Sequence, residues 1–154
     1  MKHKSLTLLT LLALGLSAGV AANQPADALA RRVALPLNPA ERGLLLEEMH
    51  AFLAGVQQLT EALAREDFAA AAKAARTLGP AMGHGVPAAM RAKLPAEFRQ
   101  LGASTHADFA QIALDAESLG DVSHSLTQLS ATLNKCVACH ATYQVRAQPV
   151  TPRR

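Results

Sequence analysis

Four stretches of this chain carry apolar side chains in alternating steps of four and three, and no stretch alternates with period two. Steps of four and three keep one face of a helix apolar, whereas a strand needs every second residue on one side. The chain is therefore confined to packing helix against helix. Its 154 residues fit one domain, since domains cluster near roughly 100–150 residues.

Turn and cap residues place the four helices. Asn38-Pro39-Ala40-Glu41 reads as a helix start, with Asn38 as the cap, Pro39 at the first helical position and Glu41 reaching back in a capping box. Behind it, Leu45, Met49, Phe52, Val56, Leu59 and Leu63 make the first stripe. A second helix begins at Asp67, runs over residues 68–78 and stops at Gly79-Pro80. Residues 79–94 hold three glycines and two prolines and read as a long connection with one short helical turn near Pro87. Pro95 opens a third helix with the stripe Phe98, Gly102, Thr105, Phe109, Ile112, Ala116 and Leu119, which Gly120 ends. Asp121 or Ser123 caps a fourth, whose stripe is Val122, Leu126, Leu129, Leu133, Cys136, His140 and Tyr143 and which runs to about Val145. No strand is expected. The fold class these helices predict is all-α, an antiparallel up-down four-helix bundle.

In such a bundle the start of the first helix, the second-to-third connection and the end of the fourth helix share one end. At ~1.5 Å rise per residue, Met49 lies ~15 Å into the first helix and His106 ~17 Å into the third. His140 sits a turn or two from the end of the fourth. These three side chains can approach one site, whereas His124 is ~24 Å along the helix from His140. His50 points ~100° away from Met49 and so outward. Met82, His84 and Met90 belong to the connection at that same end.

The N-terminus has the three parts of a secretory signal peptide: basic residues at Lys2 and Lys4, an apolar run over residues 6–16, and small residues with Val20 and Ala22 at positions −3 and −1. The apolar run is shorter than the ~20 residues that span a bilayer. The expected organisation is a signal peptide over residues 1–22, an N-terminal extension over 23–37, a four-helix domain over 38–147 and a tail over 148–154. Cleavage near Ala22 places the mature form in the periplasm, not spanning a membrane. It leaves thirteen basic against twelve acidic side chains. That balance offers no stripe for a phosphate backbone, and no Trp with one Tyr offers few platforms for bases, so nucleic acid is not an expected partner.

Two cysteines cannot staple a scaffold of this size. They stand in Cys136-Val137-Ala138-Cys139-His140, the C-x-x-C-H pattern of covalent haem attachment. Two thiols at i and i+3 on a helix can add across two vinyl groups of one porphyrin edge, while the next residue brings an imidazole to the iron. The alternatives are a redox dithiol, which expects a βαβ context, a zinc site, which wants a further donor at fixed spacing, and a plain Cys136–Cys139 disulfide in a small helical adaptor.

A mature four-helix chain of this size, with C-x-x-C-H near its C-terminal end followed by Ala141-Thr142-Tyr143, resembles class II cytochromes c of the cytochrome c-prime type. The resemblance spans about residues 37–143. It implies one covalent haem c on Cys136 and Cys139, iron held by His140, and Tyr143 counted among the haem-binding residues as the family's aromatic. Gln144 stands where the family commonly has arginine, and Arg146 is about 200° further round a helix at 100° per residue. Low-spin relatives bring a methionine from the first helix to the sixth position, which points to Met49; high-spin relatives leave that side open. His106 is the other side chain considered for the iron or for the haem edge, and Arg42, two turns below Met49, is expected to pair with a propionate.

The function implied is one-electron transfer to a redox partner protein. The alternative is binding of a diatomic gas, nitric oxide or carbon monoxide, at an open iron position. No catalytic base, oxyanion donor or substrate pocket is legible, so an enzymatic role is not expected. Relatives in this class often dimerise through their first two helices, which makes a homodimer a further expectation.

Overall fold

The computed structural model describes residues 30–146. The signal-peptide reading of residues 1–22, the first part of the extension and the tail from residue 147 onward lie outside the described residues. The protein is built from helices α1 (Pro39–Ala64), α2 (Phe68–Thr77), α3 (Pro80–Gly83), α4 (Ala88–Lys93), α5 (Ala96–Leu119) and α6 (Val122–Thr142), with strands β1 (Val33–Ala34) and β2 (Tyr143–Gln144). No described helix is long and apolar enough to cross a membrane.

The helix boundaries follow the caps. Asn38 Oδ1 accepts from the Glu41 amide at 2.9 Å while Glu41 Oε2 accepts from the Asn38 amide at 2.9 Å, the reciprocal capping box. Asp67 caps α2 through the Ala70 amide, and Asp121 caps α6 through the His124 amide. Gly120 ends α5 in the left-handed region at φ +58°, a conformation that costs side-chain-bearing residues roughly 1–2 kcal/mol.

Helix length decides the packing. With 26, 24 and 21 residues, α1, α5 and α6 extend ~39, ~36 and ~32 Å, but the 10 residues of α2 reach only ~15 Å. Helix α2 packs on α1 and on α5, and α5 packs on α6, whereas α6 and α1 touch only sparingly. Because α2 is short, the core divides in two. One apolar cluster joins Leu59 and Leu63 of α1, the alanines and Leu78 of the α2 region, Phe109 and Ile112 of α5, and Leu129 of α6. The other gathers Leu35, Leu37, Leu45, Met90 and Leu94, with Met49, Phe98 and Tyr143 partly buried against it.

Four expectations are corrected. The connection over residues 79–94 holds two short helices, not one turn. The fourth helix stops at Thr142, because Tyr143 turns extended at φ −115° and ψ 156°. Tyr143 and Gln144 then pair in parallel with Val33 and Ala34, a ladder too short to leave any period in the sequence. The buried face of α6 is also rotated from the leucine stripe: Ser125, Leu129 and Thr132 are buried, while Leu126 and Leu133 are 45% and 38% exposed.

The segment before α1 is thereby tied to the end of α6. The Leu35 amide donates to the Gln144 carbonyl at 3.0 Å, Arg146 Nη2 to the Ala30 carbonyl at 2.9 Å, and Gln144 Nε2 to the Arg32 carbonyl. On the other side of the same end, Lys93 pairs with Glu41 at 2.7 Å. The segment before α1 is thus bonded to the end of α6, and the end of the connection to the start of α1.

Candidate functional site

The inward face of α6 steps from Ser125 through Leu129 and Thr132 to Cys136 and Cys139 in fours and threes. It puts both thiols on the interior side. Cys136 and Cys139 are free and half-buried. Burial pushes both thiols above their ordinary range, and the neighbouring Cys136 adds to the effect at Cys139, so both stay protonated at neutral pH. Cys136 Sγ lies 3.8 Å from the Thr132 carbonyl oxygen. His140 is exposed on the flank of α6, ~100° round from Cys139. Its carbonyl accepts a hydrogen bond from Arg32 Nη1 at 3.0 Å, so the segment before α1 holds the backbone of this turn.

At the same end of the molecule as the C-x-x-C-H turn, several apolar side chains are only partly buried. The ring of Tyr143 meets that of Phe98 edge-on, with centroids 5.3 Å apart and planes at 90°. Met49 packs into the same cluster as Tyr143 and is only partly buried, as are Phe52 and Val56 further along α1. Arg42 completes this end of α1. Its Nε is buried and has no hydrogen-bond partner among the described residues. Such an orphaned donor is costly unless an acceptor reaches it.

His106, the other side chain considered for the iron or the haem edge, lies on the core side of α5. It is buried, with Nδ1 2.7 Å from the Leu78 carbonyl oxygen and Nε2 3.2 Å from Glu48 Oε1. The Phe52 ring lies 5.0 Å away, centroid to centroid. The Glu48 hydrogen bond holds its pKa above the ordinary histidine value against the opposing effect of burial. Both ring nitrogens are engaged. Glu48 was not singled out in the sequence, although a signal exists: it lies three residues after Leu45 and four before Phe52, on the core side of α1, where a carboxylate needs a partner.

The remaining histidines and methionines separate. His124 bonds Asp115 at 3.3 Å near the start of α6, and His50 is exposed, as expected. Met90 is fully buried in the second cluster, and Met82 packs against the first. Gln144 and Arg146 engage the segment before α1 and each other, with Arg146 Nε 2.9 Å from Gln144 Oε1.

The donor set fits a flat apolar group with acidic substituents that is tied to α6. Two protonated thiols one helical turn apart suit covalent attachment, the partly buried faces of Met49, Phe98 and Tyr143 suit an apolar plane, and the Arg42 Nε suits a carboxylate. Among the described residues no three or more His, Cys, Asp or Glu side chains converge on a metal-sized site. No protein-family profile, no curated protein and no solved structure matches the chain.

Proposed function

We propose that the protein is an exported monohaem c-type cytochrome, a one-electron carrier built as an antiparallel up-down four-helix bundle around one haem c. The observation that carries this reading is the pair of free, half-buried thiols of Cys136 and Cys139 one helical turn apart, followed directly by His140. When bound, the haem supplies a one-electron ferric–ferrous couple.

The chain's residues have separate tasks in this reading. Cys136 and Cys139 would hold the haem through thioether bonds to its two vinyl groups, each thiol's S–H adding across one C=C bond with no net oxidation or reduction. His140 would hold the iron through an imidazole nitrogen, from a turn whose backbone Arg32 secures. Met49, on α1, would be the second protein ligand through its thioether sulfur, and a Met/His ligand set would favour a higher potential than most others. Arg42 directs its unpartnered Nε at a propionate. His106 braces α1, α2 and α5 from a distance and takes no axial position. The carrier serves a redox partner protein in the periplasm, and residues 1–22 act as its export signal.

Mass and visible spectra of the chain, made with a haem-attachment system, test the proposal. The expected product is red, exceeds its peptide mass by one haem, keeps that haem in acid acetone and, when reduced, shows a split low-spin band unchanged by carbon monoxide. Met49→Ala should convert it to a carbon monoxide binder. A large carbon monoxide shift in the unsubstituted protein would instead assign it as a gas-binding c-prime-like protein, and a colourless product of peptide mass would overturn the haem reading.

A further inference from the structure

Helix α2 covers only part of α1 and α5, and the segment carrying α3 and α4 bridges the rest without filling it. A cavity of about 430 Å³ results. That volume falls among small-molecule sites, whereas close-packed interiors hold few voids larger than a water molecule. Helix α6 contributes no residue to the lining, although Leu45, Met90, Leu94 and Phe98 belong to the apolar cluster against which Met49 and Tyr143 also pack. Its walls are apolar: Leu45, Met90 and Leu94 are buried there, and Phe98 is partly so. Gly102 also lines it, and a Cβ at Gly102 would meet nothing within 4 Å.

The margin carries oriented positive charge. Arg91 Nη2 donates to the Val86 carbonyl at 3.0 Å, and Arg99 Nη1 donates to the carbonyls of Leu94 at 3.1 Å and Arg91 at 3.3 Å. Both guanidinium groups are thus held by backbone oxygens, and their other N–H donors have no hydrogen-bond partner among the described residues. Neither forms an ion pair among the described residues, and Glu48, the carboxylate in the lining, is bound to His106. Fixed guanidinium forks with spare donors match a planar anion better than flexible ammonium groups do.

We propose that this cavity is a binding site for a small amphipathic carboxylate, with its hydrocarbon part against Leu45, Met90, Leu94 and Phe98 and its acid group on Arg91 and Arg99. The site needs neither the thiols nor His140.

Calorimetric titration of the full chain with octanoate and with 1-octanol tests the assignment. Octanoate should bind saturably at one site, at least about tenfold more tightly than the neutral alcohol. Gly102→Leu should fill the cavity and abolish octanoate binding. Arg91→Gln with Arg99→Gln, on exposed side chains, should bring octanoate down to the level of octanol. Absence of saturable octanoate binding at millimolar concentration overturns the site, and equal affinity for the alcohol overturns the role of the arginines. Unchanged binding in Gly102→Leu overturns the location; should that variant fail to fold by circular dichroism, unchanged affinity in the double arginine variant overturns the proposal.

Discussion

Glu48 Oε1 lies 3.2 Å from His106 Nε2, and the other ring nitrogen faces the Leu78 carbonyl, so the imidazole sits between two acceptors. Only the protonated ring can donate to both. A neutral ring with its proton on Nδ1 would point the Nε2 lone pair at a carboxylate. The folded chain therefore holds the His106 pKa above its unfolded value of roughly 6.5, with the Glu48 hydrogen bond as the main cause. The stabilisation is fully present below the unfolded pKa and is lost as pH rises through the higher folded value. His84, Arg91 and Arg99 line the same cavity as His106. Urea midpoints should fall from pH of about 6 to about 9 more steeply in the unsubstituted protein than in His106→Gln, with a difference of about 2 kcal/mol for a charge-assisted bond. Parallel curves would show that the pair contributes nothing.

Gly55 tests how closely α1 and the end of α2 approach. A Cβ there would come 2.5 to 2.7 Å from the side chain of Leu78, which is itself fully buried. Overpacking of this kind costs about 1–3 kcal/mol, against a gain of about 1 kcal/mol from replacing a mid-helix glycine by alanine. Gly55→Ala should be net destabilising. At Gly43 nothing lies within 4 Å of the added atom, so Gly43→Ala should gain up to about 1 kcal/mol. Chemical denaturation of the two variants side by side separates contact from propensity, and a stabilised Gly55→Ala would refute the close approach.

The helices were legible because their signals are local. The stripe from Leu45 to Leu63 lies inward as spaced, and Asn38, Asp67, Gly120 and Asp121 cap or end helices where their chemistry requires. The face of α6 was misread for a physical reason. Ser125 Oγ donates to the Asp121 carbonyl at 2.9 Å and Thr132 Oγ1 to the Gln128 carbonyl at 3.0 Å. Hydroxyls satisfied within their own helix can be buried at little cost, and hydrophobic counting does not register them. The His106–Glu48 pair and the β1–β2 ladder escaped for a second reason: each joins residues far apart in the chain, 58 positions in the case of the ion pair, and no local period encodes such a meeting. At the site, the thiols and His140 stand out by spacing, whereas the unpartnered Nε of Arg42 exists only in the folded chain.

Arg42 gives a prediction whose sign depends on the haem. Without a carboxylate partner, its buried Nε is an unsatisfied donor, and Arg42→Leu should stabilise the cofactor-free chain by about 1 kcal/mol. In the proposed haem protein, where Arg42 would pair with a propionate, the same change would remove that partner and a positive charge near the iron. The haem protein should then lose stability, and its reduction potential should fall, because the ferric state is relieved of a neighbouring cation. Thermal melts of both forms and a spectroelectrochemical titration measure the three quantities. Stabilisation in both forms would detach Arg42 from the propionate.

The segment before α1 is held by side chains rather than by its ladder. Two paired residues are too short to persist alone, since even an isolated hairpin is marginal in water. Leu35 and Leu37, in contrast, are buried at 5% and 2% exposure in the cluster that includes Met49 and Tyr143. Leu37→Ala should therefore cost about 2–4 kcal/mol, as for other buried leucines. Val33→Ala, at a residue 51% exposed, should cost less than about 0.5 kcal/mol although Val33 is the one in the ladder. Urea unfolding of both variants measures the ratio. A larger loss at Val33 than at Leu37 would mean that backbone pairing to Tyr143, not leucine burial, keeps this segment across the end of α6.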